Sequence, residues 1–267
     1  METKTFHFDK KDLITLRSST GGFQPKFLSK DRQYFVKAQA VISGVTMQDW
    51  LVEIIASDFC KQLTIPCVQQ KECTIYFAGR EYKGVYSDNF ELQGRSFKSF
   101  ESLLNENMMS TNDSAFIRKN TVEKLYWCAK QLSLLCDLAY TDCLKYMIDT
   151  AVTDCLVGNV DRHTRNFGVF YNNLRGNYEI SLLFDSGMGL FENDNYRDHY
   201  KTFEDAMHNC YVSPYGEDPF DMIDLLEKEF AISKMYPFQH LQLIQKLPSE
   251  YAKEYTDRMI WKVKNLT

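Results

Sequence analysis

Gly158-Asn159-Val160-Asp161-Arg162-His163-Thr164-Arg165-Asn166-Phe167-Gly168, followed downstream by Phe184-Asp185-Ser186-Gly187, concentrates the chemistry-bearing side chains of this sequence. Before it, Leu144, Ile148, Ala151, Val152 and Cys155 recur at helical spacing, and Gly158 suits the left-handed position that closes such a helix. After it, residues 167–171 and 178–184 read as aromatic-rich strands separated by the turn-rich Asn172-Asn173-Leu174-Arg175-Gly176-Asn177. The hairpin returns Asp185 toward Asn166. An Asp and an Asn in a loop beyond a buried helix, met by a second Asp, is how phosphoryl-transfer enzymes collect a base and Mg2+ ligands. Asp154 and Asn159 have the same spacing, but Asp154 falls inside the predicted helix, so Asp161 and Asn166 are preferred. Arg162, His163 and Arg165 put positive charge beside the proposed base, where they meet the transferred phosphate or brace the loop, and bracing is expected of His163.

Phosphoryl transfer also calls for a cation on the nucleotide phosphates, usually a strand Lys held by a helical Glu. Upstream, residues 33–40 read as a strand carrying Lys37, and Leu51, Ile54, Ile55, Phe59 and Leu63 mark a helix over 49–63 with Glu53 off its apolar stripe. Lys26 is the rival cation, because it follows Ser18-Ser19-Thr20-Gly21-Gly22 closely. Gly21 and Gly22 either bring backbone N–H groups to phosphate or make a hairpin turn. Residues 73–78 and 81–86 form another strand pair around Gly79-Arg80, and Ser87-Asp88-Asn89-Phe90 is the candidate hinge, leading into a mainly helical remainder with breaks at Pro214, Pro219, Pro237 and Pro248.

The 267 residues can bury a sizeable core, and 44% hydrophobic with 25% charged residues is ordinary globular composition. A net charge of -5 with scattered Lys and Arg argues against direct nucleic-acid binding. No apolar run approaches the roughly 18 residues of a membrane span, and residues 1–11 carry charges where a signal peptide needs an apolar stretch, so a cytoplasmic protein is expected. The eight cysteines include no C-x-x-C pair and read as core residues rather than metal ligands.

Asn159, Asp161, His163 and Asn166 match the Asn-x-Asp-x-His-x-x-Asn pattern of the HipA-like serine/threonine kinases of bacteria, and Asp185 with Gly187 resembles their metal-binding apolar-Asp-x-Gly segment. Gly-Gly-x-Gln-Pro-Lys at 21–26, the strand with Lys37, the helix with Glu53 and Gly84-Val85-Tyr86-Ser87 follow that family's order over nearly the whole chain. The sequence is more distantly similar to phosphatidylinositol kinases. It resembles a short form without the extra amino-terminal subdomain of the longer toxin kinases, whose place a separate small protein would take.

The resemblance implies an α+β, two-lobed protein-kinase-like fold, with a nucleotide-binding lobe over 1–86, a helical catalytic lobe over 87–267 and ATP between them. Asp161 is then the base, Asn166 and Asp185 hold Mg2+, Lys37 contacts the phosphates, Glu53 positions Lys37, and the acceptor is a Ser or Thr hydroxyl of a protein. Ser18, Ser19 and Thr20 are candidate autophosphorylation positions. A lipid or small-molecule kinase and a catalytically silent kinase-fold binding module are the alternatives, the latter opposed by the completeness of the five-residue set.

Overall fold

The computed structural model describes residues 3–14, 24–42, 44–91, 94–112, 114–192 and 200–267. The chain opens with β1 (Lys4–Phe8), β2 (Lys26–Leu28) and β3 (Tyr34–Ala38), turns through the short hairpin β4 (Val41–Ile42) and β5 (Val45–Thr46), and enters helix α1 (Asp49–Gln62). Strands β6 (Lys71–Phe77) and β7 (Arg80–Asp88) complete a sheet in the order β1-β6-β7-β3-β2. Only β1 and β6 pair in parallel. Alternation along the strands sends Phe6, Phe27, Val36, Cys73 and Ile75 into one small core. Helix α1 buries Leu51, Val52, Ile55 and Phe59 in the main core instead, packing on β6, β7 and the helix that precedes Gly158.

That second half begins with β8 (Arg95–Ser99) and α2 (Phe100–Glu106), followed by α3 (Ser114–Ile117), α4 (Thr121–Cys136) and α5 (Tyr140–Val157). Strands β9 (Gly168–Asn172) and β10 (Asn177–Ile180) lie with β8 in a three-stranded antiparallel sheet. Helices α6 (Phe203–Met207), α7 (Pro219–Phe230), α8 (Ile232–Met235) and α9 (Glu250–Lys264) close the chain. Every residue of α5 from Tyr146 to Val157 is buried, which makes it the central helix of the larger core. Gly158 ends it at φ 56°, and a Cβ there would stand 3.1 Å from the Tyr255 ring, so both backbone sign and space disfavour a side chain. No helix among the described residues is long and apolar enough to cross a membrane.

Five expectations are corrected. The first strand is β1, inside the stretch read only for its charges, where Thr5 and His7 point outward while Phe6 and Phe8 face inward and Lys4, on their side, lays its ammonium over the Tyr34 ring. The β6–β7 turn is Ala78-Gly79, both at positive φ as a tight hairpin requires, so Arg80 already belongs to β7. Ser87 and Asp88 end β7 rather than forming the hinge, and β8 interrupts the region expected to be helical. Pro219 does not break a helix but starts α7 at its first position, where a missing N–H costs nothing.

Candidate active site

Strands β2 and β3 pair with Lys26 opposite Lys37, so two ammonium groups leave the sheet side by side. Lys37 Nζ donates to Glu53 Oε1 at 2.7 Å and to Asp185 Oδ1 at 2.8 Å, while Lys26 Nζ lies 3.8 Å from Asp185 Oδ2. The rivals of the sequence analysis are therefore neighbours on one carboxylate. Glu53 is 2% exposed, and its second oxygen receives the Ser186 N–H at 3.4 Å. Burial alone would push Asp185 up, but the charges of Lys37 and Lys26 prevail and hold it far below the usual carboxylate range. Burial opposes the charge of Lys37, yet Asp185 and Glu53 outweigh that and raise its pKa. Burial lowers Lys26, which its carboxylate neighbours only partly offset. Asp185 itself sits at φ 63°, a left-handed conformation that a short polar side chain tolerates.

Beyond α5, Asn159 donates to Asp154 Oδ1 at 2.9 Å and accepts the Asp161 N–H at 3.3 Å, which sets the start of the loop. The Asn166 N–H closes a turn on the His163 carbonyl at 2.9 Å. Asn166 Nδ2 reaches the Asp161 carbonyl at 3.5 Å, and its Oδ1 is buried with no hydrogen-bond partner among the described residues. Burial raises the Asp161 carboxyl, His163 opposes that and Asp185 adds to it, so the two acids sense each other. His163 is pushed down by burial, and its Nδ1 has no partner among the described residues.

The brace is Arg162, not His163. It is wholly buried, with Nε and Nη2 on Asp154, Nη1 on the carbonyls of Asn166 at 3.2 Å and Phe184 at 2.5 Å, and Nη2 also on Ser186 Oγ at 3.1 Å. One guanidinium thus ties the loop bearing Asp161 and Asn166 to the segment bearing Asp185. A planar fork of five donors suits this and an ammonium does not. Asp154 was set aside as a decoy for the metal pair, and it proves to be the anchor of that fork.

A cleft of about 730 Å³ opens beside these groups. Lys26, Lys37 and Asp185 cluster at one charged end, Val36, Phe90 and Phe184 are among its apolar walls, and Glu91, Lys98, Glu101 and Glu106 also line it. Phe90 stacks on Phe184 with centroids 5.7 Å apart, and Phe97 meets Phe184 edge-on at 5.0 Å. An apolar slot ending in cations is the shape that takes a base at one end and phosphates at the other. Asp161, Asn166 and Glu53 do not line this cleft; they adjoin it through the contacts above. Gly21, Gly22 and the Ser18, Ser19 and Thr20 positions lie outside the described residues.

A family model described as the HipA-like C-terminal domain matches residues 18–209. The chain belongs to that family. Among solved structures this HipA-like chain is similar to the crystal structure of a Helicobacter pylori proinflammatory kinase, CtkA, with a TM-score of 0.64 and 20% identity over 98% of this chain and 95% of the other. No curated protein matches it. The HipA-like chain is thus a kinase-like protein with a kinase-like α+β fold, as its sequence led us to expect.

The sequence reasoning did not find the cleft aromatics Phe90, Phe97 and Phe184, nor the role of Asp154. The last had a readable signal: a carboxylate beside the apolar stripe of a helix, between Val152 and Cys155 in sequence, must meet a buried partner.

Proposed function

We propose that the protein is an ATP- and Mg2+-dependent kinase that transfers the γ-phosphate to a Ser or Thr hydroxyl of a protein substrate. The observation that carries this reading is the simultaneous grip of Glu53 and Asp185 on Lys37 at the charged end of an apolar cleft. ATP would lie between a lobe of residues 1–86 and a lobe of residues 87–267, its base against Phe90 and Phe184 and its phosphates toward Lys37 and Lys26.

The donor set fits a magnesium ion. Asn166 supplies a buried oxygen with no partner among the described residues, and Asp185 a carboxylate kept ionised by its lysines. When bound there, Mg2+ neutralises phosphate charge. In this reading Asp161 takes the proton of the incoming hydroxyl as its oxygen bonds to the γ-phosphorus and the bond to the β-phosphate oxygen breaks, releasing ADP. Lys37 balances charge on the phosphates. Arg162 keeps the two acids and Asn166 in place, and most of the rate gain comes from positioning and fixed charge.

Incubation with γ-labelled ATP and Mg2+, with and without a protein extract, tests the proposal. Label on Ser or Thr of protein supports it. Label that partitions into organic solvent or onto a small molecule assigns another acceptor, and nucleotide binding without any transfer marks a silent module.

A further inference from the structure

A buried carboxylate stands in the first turn of α1, and its partners among the described residues are all neutral. Asp49 is 2% exposed. Gln24 Nε2 donates to its Oδ2 at 2.7 Å, the Ala40 N–H reaches Oδ2 and Oδ1 at 3.1 and 3.3 Å, and the Trp50 N–H donates to Oδ1 at 2.9 Å. Gln24 lies just before Lys26 and Ala40 just after Lys37. Because β2 and β3 are antiparallel with those lysines opposite each other, both contacts fall at the same end of the strand pair. Asp49 therefore grips the two strands where they leave the ammonium pair, and it does so from the helix that carries Glu53.

Three N–H donors favour its charge, but burial outweighs them and no cation among its partners helps. Glu53 lies one turn further along α1, and Glu192 accepts the preceding Gln48 N–H at 2.7 Å. A carboxylate buried this way without a cation lowers the stability of the fold, and a neutral residue of the same shape would fold at least as well. Asp49 does not line the cleft and reaches it through the strands and the helix it holds together.

We infer that Asp49 is a positioning residue: by holding Gln24 and the Ala40 amide together it fixes the ends of β2 and β3 on α1, so that Lys26, Lys37 and Glu53 converge on Asp185. The inference rests on the kinase reading of the cleft. Asparagine at 49 keeps the shape, but its amide nitrogen cannot accept from any of the three N–H donors, so the joint hold on Gln24 and the Ala40 amide is weakened as the buried charge is lost.

The test compares wild type, Asp49→Asn, Gln24→Ala and the double variant in steady-state phosphate transfer, equilibrium Mg-ATP binding and thermal unfolding at pH 8. Each single change should raise the KM for ATP about tenfold with kcat little altered. The double variant should be no worse than the weaker single, because both act through one contact. Asp49→Asn should unfold no earlier than wild type. An unchanged KM, two effects that multiply, or a KM that rises only together with lost stability would overturn the inference. If Asp49→Asn does not fold, the same expectation falls on Gln24→Ala alone. A wild-type protein that binds no Mg-ATP overturns the kinase reading and this inference together, whereas a binding wild type with indifferent variants overturns the inference only.

Discussion

Arg162 and Asp154 meet at 2.8 Å between Nη2 and Oδ1 with side-chain exposures of 1% and 0%, joining the central helix to the loop that follows it. Removing one partner leaves the other charged and buried, at a cost of about 3–5 kcal/mol. Arg162→Ala should therefore unfold early, and Arg162→Lys should keep charge but lose the contacts to Phe184 and Asn166. The double change Arg162→Met with Asp154→Leu separates the roles: thermal unfolding should recover much of the loss, while phosphate transfer should not. Recovery of both would mean that the pair does nothing for the site.

Asp161→Ala should lower kcat by about 10²–10⁴, the usual contribution of a positioned base, and leave ATP affinity near wild type. Steady-state transfer together with equilibrium nucleotide binding checks this. Undiminished turnover would remove Asp161 from its proposed role.

Asp185→Asn should weaken Mg-ATP binding as well as turnover, since it removes an ionised oxygen and releases Lys37 and Lys26 from their shared partner. Asn166→Ala should mimic the metal part of that loss alone. Titration of activity against Mg2+ is the measurement: the half-saturating concentration should rise in both variants. A rise in neither would move the metal away from this pair.

Burial pushes the Asp49 carboxyl up to about 6 in the folded protein, from 3.8 when exposed. Between those values the folded state holds more protons than the unfolded one, so stability falls as pH rises through the window and stays lower above it. The difference is on the order of 3 kcal/mol. Asp49→Asn cannot titrate, so denaturant unfolding from about pH 4 to pH 7 should show the variant gaining on wild type. A constant difference across that range would contradict the assignment.

Much of this was legible in the sequence because the decisive signals are local. Gly158 at the end of an apolar helix, an Asp and an Asn in the following loop and an Asp beyond a hairpin need only spacing and turn chemistry. The strand bearing Lys37 and the helix bearing Glu53 declare themselves by period. What escaped depends on distant pairing. β8 is recognisable only through its partner β9, and β1 pairs with a strand far along the chain, its exposed Thr5 and His7 and its charged Lys4 masking the inward Phe6 and Phe8. The same holds for Arg162, whose short-range setting among charged residues suggested a phosphate contact while its actual partners lie in α5 and beside Asp185. Asp49 could not be told from an ordinary helix-start acid, because Gln24 and Ala40 reach it only after the strands are folded.

All eight cysteines are free, and seven of them are buried. Cys67 is the exception; a hydrogen bond from Cys60 lowers its pKa, and its backbone bridges to Leu183, just ahead of Asp185. A thiol-selective fluorophore should consequently mark the native chain at one place without any engineered handle. Its attachment rate, read in the presence and absence of nucleotide, would show whether filling the cleft changes access to the strip beside Asp185.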